Sequence, residues 1–497
     1  MKKRILILLG IIGFIHTSHA QWTQIGSDID GENMNDLSGA SISLSADGNI
    51  LAIGALHNGG NGGNSGHVRV YENINGTWTQ IGADIDGENG GDRSGASVYL
   101  SADGNILAIG AYANADNGEF SGHVRIYRNI NNSWTQIGAD IDGENMNDLS
   151  GDSVSLNADG TIVAIGAPDN DDNGTNSGHV RVYRNENDTW IQVGSDIEGE
   201  APRDNSGISV SLNADGNILA IGAYFNDDNG DDAGHVRVYQ NVNDVWVQIG
   251  LDIDGESAHD RSGFSISLNA DGNVIAIGAY QNSDNGSNSG HVRIYRNINN
   301  SWTQVGSDID GESAGSESGV SVSLSADGNI VAIGAPGNNG SNGLVSGHAR
   351  VYKNENNSWI QIGSDIDGED SFDHFGRSIS LSADGSIVAI GAHLNNGNGS
   401  DAGHVRIFEN PVLSVKESDY QNLTIYPNPT VTDLFIKTKT IIETIEILDY
   451  KGIVIKTILP KKRTDNYIID VTHLATGLYF VKLKTGKEMI TKKFIKN

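Results

Sequence analysis

The 497-residue sequence contains no cysteine and only 7 prolines. The absence of thiols excludes a disulfide framework, thiolate catalysis, Cys-ligated zinc and iron–sulfur clusters. Basic residues are also scarce, because 32 Lys and Arg stand against 63 Asp and Glu, giving a formal net charge of −31. So acidic a surface repels nucleic-acid phosphates and anionic lipid, and we expect no nucleic acid among the partners.

Glycine, in contrast, is abundant, with 64 residues. That is about 13% of the chain, roughly twice the average share of about 7%. Because so little Pro accompanies it, this composition indicates many tight turns rather than a collagen-like or Pro-rich segment.

The first 20 residues have the pattern of a secretory signal peptide. Lys2–Arg4 form a positive end, residues 5–15 are apolar, and Ser18–Ala20 offer small residues for cleavage. As a membrane anchor the apolar run is too short, since 11 residues rise about 16 Å against a bilayer core of about 30 Å. No later segment has a long apolar run, so we predict export and no membrane span.

A unit of about 56 residues recurs seven times and fills residues 21–410. The unit is marked by an Ala-Asp-Gly turn, a Gly-His pair and a Trp. All seven Trp residues of the chain keep this period, at Trp22, Trp78, Trp134, Trp190, Trp246, Trp302 and Trp359. Self-similarity at such a period is typical of solenoids and propellers.

Each unit has the pattern of four short strands. The first two form a hairpin about Asp47-Gly48, a dipeptide that predicts a type I′ turn. This turn places Leu44 opposite Leu51 and Ile42 opposite Ile53, so one face is Ile and Leu while the other is mostly Ser and Ala. The third strand begins at His67, and the fourth begins at the Trp.

These features predict an all-β protein whose main domain is a seven-bladed β-propeller. The chain starts with a lone fourth strand at Trp22–Ile25 and ends the repeats with a lone third strand at His404–Phe408. Pairing the two would complete the last blade and close the ring by the N-terminal strand. An open β-solenoid is the alternative, but it would need capping units. The period also disfavours WD40 repeats, which span about 40–45 residues.

The units resemble FG-GAP repeats, which build the head propeller of integrin α chains and many bacterial surface proteins. Phe375-Gly376 followed by Ser378 matches the first half of that motif. Gly166-Ala167-Pro168 and Gly334-Ala335-Pro336 match the second half. The resemblance implies a seven-bladed propeller with a calcium loop between the first two strands, where this chain has only Ala46-Asp47-Gly48-Asn49.

From Pro411 the repeats stop and Lys becomes frequent. We expect residues 411–419 to be a linker and residues 420–497 to be a small C-terminal β-sandwich of seven short strands. This stretch resembles the type A C-terminal sorting domain of the type IX secretion system of Bacteroidetes. The matching residues are Tyr426–Pro429, Gly477–Val481 and Lys492–Ile495. The resemblance implies the type IX secretion machinery as a partner. It also implies removal of this domain, with release or attachment at the cell surface; the alternative is an adhesive sandwich that stays on the mature protein.

Two repeated residues are interpreted as structural. The seven His residues of the Gly-His pairs lie too far apart in a propeller to share one ion, and we expect them to form hydrogen bonds at blade interfaces. The seven Trp residues are expected to anchor the fourth strands rather than to stack on sugars.

The candidate metal site is an acidic run, Asp-x-Asp-Gly-Glu, that recurs in the units. Three carboxylates within five residues supply part of the 6–8 oxygens that Ca²⁺ requires, and a solvated acidic rim is the alternative. Unit four departs, with Asp196, Glu198 and Glu200. The candidate residues are Asp28, Asp30, Glu32, Asp84, Asp86, Glu88, Asp140, Asp142, Glu144, Asp252, Asp254, Glu256, Asp308, Asp310, Glu312, Asp365, Asp367 and Glu369.

No catalytic constellation emerges from the spacing, because the polar residues recur in every unit. Single residues such as His57, His259, His374 and His393 fall in loops. We therefore predict a monomeric, secreted or surface-attached binding or adhesion scaffold without catalysis, whose partner is an unknown extracellular protein or polysaccharide. A multivalent carbohydrate-binding propeller and a surface hydrolase are the alternatives.

Overall fold

The computed structural model describes residues 21–410, 413, 424–426, 430–438, 442–449, 454–460, 466–474, 477–485 and 488–496. The predicted signal peptide, most of the predicted linker 411–419 and the motif residues 427–429 lie outside the described residues. The chain forms two compact units, divided between residues 414 and 415.

The first of these two compact parts of the chain is a seven-bladed β-propeller, as the sequence predicts. Each blade is one antiparallel sheet in the order a–b–c–d, with a short strand e that also pairs with strand c. Blade 1 begins at Ser38, and blade 7 takes its strands d and e from the start of the chain. Strand a spans Ser38–Leu44, Ser97–Leu100, Ser153–Leu156, Ser209–Leu212, Ser262–Leu268, Ser321–Leu324 and Ser378–Leu381. Strand b spans Ile50–Ala55, Ile106–Ala111, Ile162–Ala167, Ile218–Ala223, Val274–Ala279, Ile330–Ala335 and Ile387–Ala392.

The outer strands carry the repeated His and Trp. Strand c spans His67–Ile74, His123–Asn129, His179–Asn185, His235–Asn241, His291–Ile298, His348–Asn354 and His404–Glu409. Strand d spans Thr77–Gln80, Trp134–Gln136, Trp190–Gln192, Trp246–Gln248, Ser301–Gln304, Trp359–Gln361 and Thr23–Gln24. Strand e spans Ile85–Asp86, Ile141–Asp142, Ile197–Glu198, Ile253–Asp254, Ile309–Asp310, Ile366–Asp367 and Ile29–Asp30.

The register of the a–b hairpin is confirmed, but the predicted turn type is wrong. Leu44 pairs with Leu51 and Ile42 with Ile53, as expected. Of the two central residues only Gly48 has a positive φ, 71°, whereas a type I′ turn requires it at both. The backbone N–H of Gly48 instead donates to the carbonyl of Ser45, which makes the turn a tight i-to-i+3 loop.

The core lies between the blades, where the Ile/Leu face of one sheet packs on the face of its neighbour. In one such layer Ile42 and Leu44 of blade 1 pack with Ala389, Val405 and Ile407 of blade 7. The facing side chains are small on strand b and β-branched on strand c. Burial of a bulky side chain contributes about 1.5–3 kcal/mol, and this layer recurs around the ring.

The ring is closed by the N-terminal strand, as predicted. Thr23 pairs with Glu409 and Gln24 with Phe408, so the first strand completes the last blade. The indole N–H of Trp22 donates to the carbonyl of Ile362, 340 residues away, at 2.9 Å.

A circle of backbone hydrogen bonds surrounds one end of the central channel. The alanine of each Ala-Asp-Gly turn donates its N–H to the carbonyl of the same alanine in the next blade, as Ala46 does to Ala102 at 2.9 Å. The last bond runs from Ala383 back to Ala46 at 2.8 Å. The alanines are Ala46, Ala102, Ala158, Ala214, Ala270, Ala326 and Ala383.

The second compact part, after the propeller, consists of two small antiparallel sheets. A three-stranded sheet is formed by Thr424–Tyr426, Asp433–Lys437 and Asn466–Asp470, in that order. A four-stranded sheet has the order Val454–Ile458, Thr444–Asp449, Gly477–Thr485 and Glu488–Lys496. Both sheets contribute to one buried cluster, which includes Leu434, Ile436, Ile445, Val481 and Phe494. This arrangement is the expected β-sandwich.

Within the part of the chain that the structure describes, we find no helix with the length and apolar character needed to cross a membrane.

Candidate functional site

The repeated His begins strand c in every blade and is fully buried, with His123 at 0% exposure. Hydrogen bonding at the blade interface, which the sequence suggested, is not what the structure shows. Among the described residues, Nε2 of all seven His has no hydrogen-bond partner, and neither has Nδ1 of His123, His179, His235 and His291. Burial, reinforced by the adjacent Arg237, lowers the pKa of His235 to about 4, so its imidazole is neutral at neutral pH.

Carboxylates from three chain segments converge on this imidazole. In blade 2, Glu88 comes from the connection after strand e of blade 1, Asp116 from the b–c loop, and Asp140 from the residue before strand e. One oxygen of each carboxylate and a nitrogen of His123 all lie within 4.8 Å of one another. Nδ1 of His123 is 3.9 Å from Oε2 of Glu88. We call such a group of His and carboxylates a junction set, because it joins one blade to the next.

Neighbouring polar groups orient these carboxylates. The side-chain amide of Gln136 donates to Oδ1 of Asp140 at 2.5 Å, and all seven blades repeat this Gln-to-Asp hydrogen bond. Arg125 lies 3.8 Å from Oε1 of Glu88 and donates to the backbone carbonyl of Asp86 at 2.7 Å. Oε2 of Glu88 is thereby left to face the imidazole.

The acidic run that the sequence singled out is divided between two neighbouring junction sets. Asp28 joins His404 and Glu369 in blade 7, whereas Glu32 joins His67 and Asp84 in blade 1. The middle Asp of each run, such as Asp86, instead pairs with the His of strand c across the sheet. Unit four keeps the arrangement despite its different sequence, because Asp196 and Glu200 occupy the same places.

The crowding of negative charge is visible in the titration of the acidic groups. Burial, together with Asp196, Asp172 and Glu144, raises the pKa of Glu198 to about 7. Burial also raises the pKa of Glu88, where Asp140 and Asp116 add to the shift and Arg125 opposes it. Each junction set is therefore a pocket of negative potential over a neutral imidazole.

The hairpin that would carry the family's calcium loop does not fit a calcium ion. Oδ1 of Asp47 accepts hydrogen bonds from the hydroxyl of Ser45 at 2.7 Å and the backbone N–H of Asn49 at 3.0 Å. Oδ2 accepts from the side-chain amide of Asn49 at 3.0 Å. The carboxylate is used to cap its own turn, and the loop offers no further acidic side chain.

The seven Trp residues join neighbouring blades. The indole N–H of Trp246 donates to the carbonyl of Val193 in the preceding blade at 3.0 Å. The same bond recurs for the other six Trp, at 2.8–3.1 Å. Their positions agree with the anchoring role that the sequence suggested.

A second surface lies at one end of the central channel, where the residues differ from blade to blade. We call it the channel mouth; it consists of the residues at the start of strand a or just before it, and those just after strand b. One of its positions follows the Ser-Gly pair of blades 1 to 6 and the Phe375-Gly376 pair of blade 7, and it holds Ala40, Ala96, Asp152, Ile208, Phe264, Val320 and Arg377. These residues line a cavity of about 240 Å³.

One side of the channel mouth is aromatic. The rings of Tyr224 and Phe264 meet edge-on at 5.7 Å, and those of Phe264 and Tyr280 lie 4.5 Å apart. The Arg261 guanidinium donates to the hydroxyl of Tyr280 at 2.6 Å and lies 4.8 Å from the ring of Phe225. These rings are half-buried, so each keeps an accessible face.

The opposite side of the channel mouth carries histidines. The rings of His374 and His393 lie 5.8 Å apart. Burial and the nearby positive groups, with Arg377 the strongest of them, lower the pKa of His393 to about 3. Two single histidines at the ends of one a–b hairpin are thus brought together, an association that the spacing did not reveal. The departures from the repeat at aligned positions were the signal that could have found this surface.

Family models match two parts of the chain. The FG-GAP repeat model matches residues 198–239, 252–295 and 365–408, within the propeller. The chain contains FG-GAP repeats. Each matched segment runs from strand e of one blade to strand c of the next, so every FG-GAP segment crosses one junction set.

The second match is a secretion system C-terminal sorting domain over residues 424–497. This type IX sorting tail follows the FG-GAP propeller and confirms the predicted export to the cell surface or the medium. It also implies interaction with the type IX secretion machinery.

No curated protein matches the FG-GAP chain. Among solved structures, a putative 6-phosphogluconolactonase from Bacteroides uniformis is similar with 11% identity and a TM-score of 0.45. A periplasmic gluconolactonase of Pseudomonas aeruginosa is similar with 16% identity and a TM-score of 0.45. Each alignment covers 67% of this chain and 86% of the other.

Proposed function

We propose that the protein is an exported binding scaffold that recognises an extracellular protein or polysaccharide at the channel mouth, without catalysis. FG-GAP repeats and a sorting tail are typical of non-catalytic surface proteins, which supports this choice. The observation that carries it is the contrast between a repeated framework and a mouth that gathers side chains absent from the corresponding positions of most blades, such as Phe264, Arg377 and His393. A single recognition surface requires residues that are not repeated, and these lie at the mouth.

The chemistry of the mouth favours a ligand with apolar faces and hydrogen-bonding edges. Half-buried Tyr and Phe rings beside Arg261 are the kinds of side chain that dominate binding energy in interfaces. Tyr224 and Tyr280 offer ring faces together with hydroxyl groups. The alternative of one sugar site per blade at the Trp residues is less well supported, because each indole N–H is already bonded to a carbonyl of the preceding blade.

The test is binding of the purified protein to arrays of immobilised extracellular-matrix proteins and polysaccharides. We expect Phe264→Ala and Arg261→Ala to weaken binding at least about tenfold, the loss that corresponds to about 1.4 kcal/mol. The matched control is Asp215→Ala, an exposed residue at the a–b turn in the propeller. Binding that is equally strong in all variants, or no binding on either array, would contradict the proposal.

A further inference from the structure

The junction sets have a function that neither the propeller fold nor the proposed ligand binding requires. The geometry points to a divalent transition-metal site in each of blades 2 to 5, formed by the buried imidazole and three carboxylates. In blade 2 the ligands are Nδ1 of His123 and one oxygen each of Glu88, Asp116 and Asp140. Because these residues come from two consecutive blades, the ion fastens each blade to the next.

The imidazole of His123 is buried without a hydrogen-bond partner. The His123 side chain is 1% exposed, and neither of its ring nitrogens has a hydrogen-bond partner among the described residues. A buried polar atom without a partner costs about 1–3 kcal/mol. Nδ1 faces three carboxylate oxygens, and a bound cation satisfies both the nitrogen and the oxygens.

The junction set of blade 2 carries an excess of negative charge. Glu88, Asp116 and Asp140 bring three negative charges together, and Arg125 is the cation that contacts the set. The three ligand carboxylates thus keep two negative charges after this contact, and Asp92 and Asp142 add to the negative field around His123, which favours a divalent ion. The Arg125 guanidinium lies on Oε1 of Glu88, while Oε2 faces the imidazole, so it does not occupy the position between the ligand atoms.

The ligand atoms of the junction set lie close to the distances that a bound metal ion requires. Metal–ligand bonds of about 2.0–2.2 Å in a tetrahedron place the ligand atoms about 3.3 Å apart. The observed distance from Nδ1 to Oε2 of Glu88 is 3.9 Å, so this pair needs to approach by roughly half an ångström, and the other ligand atoms, which lie within 4.8 Å of one another, by at most roughly 1.5 Å. Glu88 is 36% exposed and can make this movement, whereas Gln136 holds Asp140 in place as outer hydrogen-bond donors do at metal sites.

The b–c loop differs among the blades at the position that supplies the third carboxylate. The b–c loop supplies an Asp in blades 2 to 5, at Asp116, Asp172, Asp228 and Asp284, but a glycine in the others, at Gly60, Gly340 and Gly397. The four blades with this Asp are the same four in which Nδ1 is buried without a partner. Among the described residues, blades 2, 3 and 4 have the complete set. Blade 5 has the same residue types at the same positions, Glu256, Asp284, His291 and Asp308, whereas the other three blades lack the Asp of the loop.

The ligand chemistry separates this site from a calcium site. Ca²⁺ and Mg²⁺ take oxygen ligands, and Ca²⁺ needs six to eight of them. One imidazole with three carboxylates suits Zn²⁺ and the neighbouring first-row ions better. The calcium expected from the acidic runs is thus an alternative occupant, which the experiment distinguishes.

The experiment is isothermal titration of the chelator-treated full chain with Zn²⁺ and, separately, with Ca²⁺, with bound metal counted by elemental analysis. We expect about four equivalents of Zn²⁺, bound at least about tenfold tighter than Ca²⁺. Ca²⁺ binding as tight as Zn²⁺, or no saturable Zn²⁺ binding, would overturn the inference.

Two variants exchange the natural difference between blades. Asp116→Gly gives blade 2 the glycine of blade 1 and is expected to remove one equivalent of Zn²⁺. Gly60→Asp gives blade 1 the missing carboxylate and is expected to add one; a Cβ at this glycine would lie 3.0 Å from Oδ1 of Asp86, a side chain that can move. His123→Gln tests the imidazole itself and is expected to lose one equivalent.

The control is Asp215→Ala, which removes an exposed carboxylate of the a–b turn, at the other end of strand b from the b–c loop that contributes Asp228 to the junction set. Its stoichiometry is expected to equal that of the wild type. Equal Zn²⁺ counts in wild type, Asp116→Gly and Gly60→Asp, each with an unchanged melting temperature, would show that the bound ions lie elsewhere. If His123→Gln fails to fold, the two loop variants still decide.

Discussion

At the scale of single residues, the a–b turn is capped in two ways within one chain. In blade 1 the hydroxyl of Ser45 accepts from the N–H of Ile50 at 2.9 Å, and Asp47 accepts from the N–H of Asn49 at 3.0 Å. In blade 4, Oδ1 of Asn213 alone accepts from the N–H groups of Asn217 and Ile218, at 3.0 and 2.9 Å. One asparagine replaces a serine and a carboxylate, and Asp215 is no longer required.

This difference predicts unequal effects of the same substitution. Asp47→Ala is expected to lower the free energy of unfolding by about 1 kcal/mol, a value limited by the exposure of the carboxylate. Asp215→Ala is expected to change it by less than about 0.5 kcal/mol. The measurement is the urea midpoint of each variant at neutral pH; equal shifts for the two would contradict the capping role.

The effect of Asp47→Ala also depends on pH. Burial favours the neutral carboxyl, but the hydrogen bonds from Ser45 and Asn49 outweigh it and hold the pKa of Asp47 below its ordinary 3.8. A carboxylate with a lowered pKa stabilises the fold fully above the unfolded pKa and loses this effect as the pH falls through the folded pKa. The difference between wild type and Asp47→Ala should therefore persist at about pH 5 and shrink below about pH 3.8.

At the scale of strands and blades, the sequence predicted the pairing register but not the turn that produces it. The register follows from alternation, because a shift by one residue would put Ile42 and Leu44 on the Ser/Ala face. The turn type was wrong because Ser45 and Ile50 already pair, so the loop contains four residues rather than two, and it closes with a hydrogen bond from the Gly48 N–H to the Ser45 carbonyl without a positive φ at Asp47.

The junction sets could be predicted only in part, for a related reason. The acidic run was visible in the sequence, and so was the repeated His, but three separate segments form one set. Glu88 precedes His123 by 35 residues, and their meeting depends on how the connection between blades folds over strand c. Residues at the same position in each repeat share the same surroundings. That position alone does not show which other position of the repeat they contact.

The Trp residues give a prediction at this scale. Trp246→Phe removes the hydrogen bond to the Val193 carbonyl while keeping most of the ring, and we expect a loss of about 1–2 kcal/mol. The control is Val247→Thr on the same strand, a residue that is 48% exposed and should change stability little. Thermal unfolding followed by circular dichroism measures both. A loss for Val247→Thr as large as for Trp246→Phe would mean that the strand, rather than the indole, is sensitive.

At the scale of the whole molecule, closure was predictable because the repeats start and stop half a unit out of phase. The lone fourth strand at the start and the lone third strand at the end complete one blade. The blade-specific residues of the channel mouth could be recognised as departures from the repeat, but the sequence did not show which of them meet, since the contacts depend on how the strand ends of adjacent blades pack.

The closure offers a test that uses the absence of cysteine. A Thr23→Cys/Glu409→Cys variant would link the first and last strands where they already pair. Cross-linking so long a loop stabilises by on the order of 5 kcal/mol in the chain-entropy account, and we expect a clear rise in melting temperature that a reducing agent reverses. Each single Cys variant is the control. Failure of the pair to oxidise in the folded protein would contradict the observed strand pairing.

The circle of seven alanine hydrogen bonds has a consequence for what happens when the protein is damaged. Each blade meets the next through the same pair of unlike surfaces, the kind of head-to-tail contact that forms rings in oligomers when it closes and filaments when it does not. Here one polypeptide supplies all seven blades, and in the closed circle both surfaces of every blade are covered by the neighbouring blades. A fragment cut by a protease would expose one of each, and such fragments would assemble with one another rather than remain dispersed.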